Sequence, residues 1–235
     1  MKKLTALCLF FMCQLSFLTY QKSVTPAYSI NYIMGKFDPK NQEGFVKIDK
    51  KYADRDSLYL RQETYEAYLR MHWAAQKDGI SIVIVSATRN FEYQKGIWEL
   101  KWKNLSSIKD PSVRARKIME YSAMPGTSRH HWGTDIDLTS VSSKYFDTPE
   151  GQKLYAWLIK NAPRFGFCQP YTQGRTTGYK EEKWHWTYTP LSKELTEFAK
   201  TNLKNELIKG FNGAQAAVKI DVVKNYVLAI NKECL

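Results

Sequence analysis

Only four histidines occur in the 235 residues, and three of them fall in two aromatic-rich segments, Ser128-Arg-His-His-Trp-Gly-Thr-Asp-Ile-Asp137 and Glu181-Glu-Lys-Trp-His-Trp-Thr-Tyr188. Imidazole and carboxylate are ligands that zinc favours, and a catalytic zinc site takes three of them while leaving a position open. His130, Asp137 and His185 meet that count. Residues seven apart on a straight strand face opposite ways, so His130 and Asp137 converge only if the chain turns between them. Gly133 supplies the residue for such a turn. Asp135, two residues before Asp137, could compete as ligand or hold a histidine ring from behind. Hydrolysis at such a site also needs a base to take a proton from water, and Glu182, three residues before His185, is the candidate. Glu181 beside it has the same chemistry, and the run 181–183 read without the histidines would be a solvated charged face. The helical H-E-x-x-H pattern is absent. His72, with no such neighbours, reads as a packed helix residue.

The elements that must position these groups follow from periodicity and punctuation. The β-branched run 80–85 is a buried strand, and Ser86 to Arg89 leave its end, a common place for functional groups. A second strand at 135–139 puts Asp135, Asp137 and Thr139 on one face and Ile136 and Leu138 toward the core. Two further strands are expected at 165–171 and 184–188. Helices are expected at 58–78, 91–103 and 111–121, from Thr148, an N-cap followed by Pro149, to Asn161, and at 191–200 and 221–231. The fold class is therefore α+β, a small central antiparallel sheet carrying the zinc site and flanked by helices.

Residues 1–22 have the layout of a secretory signal peptide, a Met-Lys-Lys start followed by an apolar run at 4–18 that is too short to span a bilayer. Residues 23–200 form the catalytic domain in this reading, and 201–235 a helical tail packed on it. If cleavage falls between Tyr20 and Lys22, Lys2 and Lys3 leave with the leader while all 23 acidic residues stay, so the mature chain remains strongly basic. Export makes anionic wall polymers better partners for that charge than nucleic acid. Losing Cys8 and Cys13 with the leader leaves Cys168 and Cys234, an even pair expected to form a disulfide in an oxidising compartment.

The motifs resemble those of the VanY-type D-alanyl-D-alanine carboxypeptidases, within the wider group that includes lysostaphin-type peptidases and hedgehog domains. The pattern S-x-H-x-x-G-x-x-x-D is matched by Ser128, His130, Gly133 and Asp137, and E-x-W-H by Glu182, Trp184 and His185. An upstream S-x-x-R with glutamine five positions on is matched by Ser86, Arg89 and Gln94, and Thr177-Gly178-Tyr179 fits as well. The resemblance implies zinc on His130, Asp137 and His185, Glu182 as base and then proton donor to the leaving amine, and Arg89 as the cation that polarises the scissile carbonyl. It also implies substrate contacts from Ser128, Gln94 and Tyr171. The expected protein is a secreted or envelope-associated, monomeric bacterial peptidase trimming terminal D-alanine from peptidoglycan stem peptides, with no nucleic-acid partner and no stable membrane insertion. An L,D-carboxypeptidase, an endopeptidase and a non-catalytic wall-binding module are the alternatives.

Overall fold

Residues 28–235 are described in a computed structural model of the chain. The expected leader at 1–22 lies outside the described residues. A short helix, α1 (Ile30–Ile33), is followed by strands β1 (Phe45–Lys47) and β2 (Tyr59–Arg61), which pair with each other as a two-stranded antiparallel sheet. Because Tyr59–Arg61 are held in that pairing, helix α2 begins at Gln62 and runs to Lys77, four residues later than its apolar periodicity suggests. Ala67, Tyr68, Met71 and Ala75 form its buried face, as a 3.6-residue repeat requires.

The main sheet has four antiparallel strands in the order β3 (Ile84–Ser86), β4 (Asp135–Leu138), β6 (His185–Tyr188) and β5 (Phe167–Cys168). Two strands are shorter than expected. Thr139 takes a left-handed φ of 65°, which ends β4 with its N–H on the Val83 carbonyl; β3 itself begins at Ile84, though Ile80 and Ile82 are buried all the same. Residues 162–165 form a 3-10 turn closed by Gly166, and Pro170, which has no N–H to give a ladder, follows the two residues of β5.

Helices α3 (Phe91–Asn104), α4 (Pro111–Ile118) and α5 (Pro149–Asn161) start where their caps predict. Asn90, Asp110 and Thr148 each accept a backbone N–H from the first turn, satisfying donors that have no partner within the helix. Helix α6 (Thr189–Asn202) follows β6 directly. The single helix expected at 221–231 is not present: Asp221, with a left-handed φ of 49°, separates α7 (Ala216–Ile220) from a π-helical turn at Val223–Val227.

One face of the sheet carries Ile84, Ile136, Leu138 and Trp186 into a core with α2 and α5 residues such as Met71, Leu154 and Leu158. The other face carries the candidate site. Tail residues Ile220, Tyr226, Val227 and Ile230 bury in a second cluster with Trp98, Met119 and Leu195. Cys168 and Cys234 form a disulfide, with Cα atoms 5.5 Å apart and 66 residues of sequence separation. Closing a loop of that length stabilises by about 4 kcal/mol in the chain-entropy description. Cys234→Ser is accordingly expected to lower unfolding free energy by that order in a denaturant titration, and an unchanged midpoint would mean that the bridge contributes nothing.

Candidate metal centre and active site

Strand register explains how residues 48 apart in sequence meet. Asp137 lies directly opposite His185, and Asp135 opposite Thr187, so all four side chains share the face turned away from the Ile136–Trp186 core. His130 arrives from a 3-10 turn, Arg129–Trp132, that is ended by Gly133 at φ 74°. A Cβ on Gly133 would stand 2.5 Å from the Phe45 ring and 3.0 Å from the Arg61 side chain. Backbone conformation and space both demand glycine there. Gly133→Ala is expected to cost about 1–3 kcal/mol from the backbone alone, and to weaken metal binding because the turn carries His130. Denaturant unfolding together with a metal titration checks both.

Ligand-capable atoms of His130, Asp137 and His185 all lie within 4.8 Å of one another, and the three residues are buried. His130 Nε2 is 3.2 Å from His185 Nδ1 and 3.3 Å from Asp137 Oδ2, and His185 Nδ1 is 3.1 Å from Asp137 Oδ1. The far nitrogens are already committed. His130 Nδ1 donates to the Ala87 carbonyl at 2.9 Å, and His185 Nε2 faces Asp135 Oδ1 at 2.9 Å. With those contacts fixing the tautomers, two ring lone pairs and the Asp137 carboxylate converge, and Asp137 Oδ1 has no hydrogen-bond partner. Such a set suits a cation, and two imidazoles with one carboxylate are donors of the kind zinc takes. Burial alone would depress the His185 pKa, but Asp135 and Asp137 outweigh it and push it up to about 9. Two carboxylates around one ring call for positive charge, and a divalent ion answers the same demand.

Asp135 is not turned toward this set. Its Oδ1 takes His185 Nε2 and, at 3.3 Å, Arg129 Nε, while its Oδ2 accepts from the hydroxyls of Thr134 at 2.6 Å and Thr187 at 3.0 Å. It orients the His185 ring and is held in turn by a buried network. Burial would raise the Asp135 pKa, yet Arg129 and His185 together lower it. Arg129, almost fully buried, also donates to Thr187 and Thr196 and lies over the Trp132 ring. In the sequence Arg129 is marked only by its charge and its place between the motif positions Ser128 and His130, ahead of His131 and Trp132.

Beside the metal-ligand set lies a cleft of about 490 Å³, lined by Arg89, Lys101, His130, Asp137, Glu182 and Trp184 among others. Glu182 is buried, with Oε2 3.5 Å from His185 Nδ1. Its neighbour Glu181 is not part of this lining. Burial pushes the Glu182 pKa up to about 8, with Asp137 adding to the rise and His185, Arg89 and Lys101 opposing it. Gln169, also absent from the sequence reading, fixes this segment: its Nε2 donates to the carbonyls of Glu182 and Tyr171, and its Oε1 accepts from the Tyr155 hydroxyl.

Arg89 reaches the cleft from the end of β3, with Nη1 3.3 Å from Ser86 Oγ and a buried Nε–H that has no partner. The histidine pair pins its backbone. Arg89 N–H donates to the His130 carbonyl at 3.2 Å, and His131 Nδ1 donates to the Arg89 carbonyl at 2.5 Å while its Nε2 accepts from Gly126 N–H. Burial pushes the His131 pKa down to about 3, consistent with a neutral ring acting as a spacer between the β3 exit and the loop before Ser128. Gln94, Ser128 and Tyr171 are brought close to the site but sit behind its surface. All three are buried and outside the cleft lining. Gln94 Nε2 donates to the Ala123 carbonyl, and the Tyr171 ring packs against His185 at 4.8 Å between centroids.

A small antiparallel sheet thus presents two histidines and an aspartate able to hold a metal ion beside a buried glutamate and an arginine. Residues 57–191, more than half of the chain, match the VanY model, described as D-alanyl-D-alanine carboxypeptidase, and the chain belongs to that family. It is 32% identical over 118 residues to a D-alanyl-D-alanine carboxypeptidase of Enterococcus faecalis, covering 49% of this chain and 42% of that protein. It is 32% identical over 165 residues to YodJ of Bacillus subtilis, covering 66% and 55%. The chain thus spans about half the length of these curated relatives. Among solved structures, the LdcB LD-carboxypeptidase superposes with a TM-score of 0.52 at 25% identity, covering 72% of this chain and 77% of that one.

Proposed function

We propose that this chain is a zinc-dependent carboxypeptidase that removes the terminal D-alanine from peptidoglycan stem peptides at the cell envelope. The observation that carries this reading is that the buried donor set of His130, Asp137 and His185 shares one cleft with Glu182 and Arg89. When bound, zinc supplies Lewis acidity that makes water nucleophilic near neutral pH and polarises a carbonyl. Glu182 Oε2 takes the proton of the attacking water and returns it to the leaving amine, a role its place beside the donor set, 3.5 Å from His185 Nδ1, supports. Arg89 donates to the carbonyl oxygen as negative charge develops there. Ser128 and Gln94 lie buried outside the cleft lining and support the site from behind, and Tyr171 backs His185. Among the described residues no helix is long and apolar enough to cross a membrane.

The resemblance to the LdcB LD-carboxypeptidase supports a second reading, in which the bond cleaved joins an L- to a D-residue. Digestion of purified muropeptides followed by mass spectrometry separates the two. A D,D-enzyme removes one alanine from pentapeptides and leaves tetrapeptides intact, whereas an L,D-enzyme shortens tetrapeptides. Amidating the terminal carboxylate is expected to lower kcat/KM sharply in either case, and equal turnover of the amide would instead indicate an endopeptidase.

A further inference from the structure

Helix α3 sends a stripe of side chains along the site. Gln94, Ile97 and Lys101 recur at helical spacing, with Gln94 buried in the wall and Ile97 and Lys101 lining the cleft. Lys101 is half-buried there, near enough to Arg89 and Glu182 for both charges to act on its ammonium. The ion pairs of the site are made by Arg129 and the histidines, and among the described residues none is made by Lys101 or Arg89. The cleft therefore holds two cations that lack a carboxylate partner, one of them with a buried N–H that meets no acceptor. Lys144 adds a third at the rim.

We infer that Lys101 is a specificity-determining residue that receives a carboxylate of the substrate peptide in the cleft beside Arg89. The inference rests on the peptidase reading above and deepens it. Like charges crowded in a partly desolvated cleft repel one another, and a bound carboxylate relieves that repulsion while supplying the missing acceptor. Burial and the Arg89 charge both depress the Lys101 pKa, in keeping with a cation whose counter-charge comes from a ligand. Glu182, whose charge acts on Lys101, is occupied in this reading with proton transfer. Ile97, Tyr121 and Trp184 provide apolar wall around the anchor, so the ligand is a carboxylate carried on a peptide and not a bare anion. Two carboxylates of a stem peptide fit this chemistry, the C-terminal one and that of an acidic residue within the chain.

The test uses the zinc-loaded protein with Lys101→Met and Lys101→Arg, and three peptides: one with both carboxylates, one amidated at the terminus, one amidated at the internal acid. Lys101→Met is expected to lower kcat/KM for the doubly charged peptide about 10- to 100-fold, the usual worth of a charge-assisted hydrogen bond, mainly through KM, with Lys101→Arg restoring much of it. The loss should vanish on whichever amidated peptide lacks the carboxylate that Lys101 receives, which identifies the source. An equal loss on all three peptides, or none on any, overturns the inference. Calorimetric binding of the same peptides to Glu182→Ala protein gives a readout independent of turnover. Lys101-dependent binding without cleavage by the wild-type protein would retain the inference and sink the peptidase reading. Cleavage indifferent to Lys101 would do the reverse, and neither binding nor cleavage would end both.

Discussion

Glu182→Ala is expected to lower turnover of a D-alanine-terminated stem peptide by about 10²–10⁴-fold or more while the protein keeps its metal. General acid–base catalysis contributes about that factor per step, and one carboxyl here serves both the attack on the carbonyl and departure of the amine. The two functions are separable because three ligand atoms converge without Glu182, whose Oε2 is 3.5 Å from the nearest ring nitrogen. Removing the carboxylate also relieves a buried acid that lies near Asp137, so the fold should not suffer. Glu181→Ala is the control, and its side chain does not line the cleft. Steady-state kinetics and metal analysis on the same preparations decide the matter. A Glu182→Ala protein with near-normal turnover, or one stripped of metal, would refute the assignment; a dead, metal-loaded Glu181→Ala protein would shift the base by one residue.

The ligand set was legible in the sequence because its chemistry is local and its residues scarce. Two short segments held three of four histidines, and a glycine stood where a turn was needed. Strand alternation put Asp135 and Asp137 on one face but could not say which faced the ring nitrogens. That choice depends on cross-strand register, which sets Asp137 against His185 and leaves Asp135 to reach the far nitrogen of the same ring. Long-range partners were equally invisible. Nothing near Phe45–Lys47 announces pairing with Tyr59–Arg61, and the helix start at 62 moved with it. Arg129, His131 and Gln169 act by holding backbone or outer carboxylates, and such roles appear only when the segments they join are in place. The β-branched run at 80–85 signalled burial correctly for Ile80 and Ile82, but burial is not ladder pairing, and the pairing ends where Thr139 turns away.

Asp137→Ala is expected to abolish stoichiometric metal binding and activity together, in contrast to Asp135→Asn. Wild-type protein purified without chelator should carry one zinc per chain, since two imidazoles and one carboxylate suit zinc better than calcium or magnesium, which prefer oxygen ligands. Removing one of three ligands leaves a pair of imidazoles, whereas Asp135 touches only the far side of His185, and loss of such an outer partner typically weakens a site by about 10–100-fold. Asparagine is the informative replacement at 135, because its one oxygen can still accept from His185 and Arg129 where Oδ1 stands, while its NH2 faces the hydroxyl oxygens of Thr134 and Thr187, which can accept. Alanine there would strand a buried guanidinium at a cost of about 3–5 kcal/mol. Thermal unfolding gives a second reading of the same difference. Free zinc at about 100 times Kd stabilises the folded chain by about 2.7 kcal/mol, so chelation should lower the Tm of wild type and of Asp135→Asn but leave Asp137→Ala unmoved. If Asp135→Asn is the metal-free protein and Asp137→Ala keeps its zinc, the two aspartates have exchanged roles and the ion sits on the other side of the His185 ring.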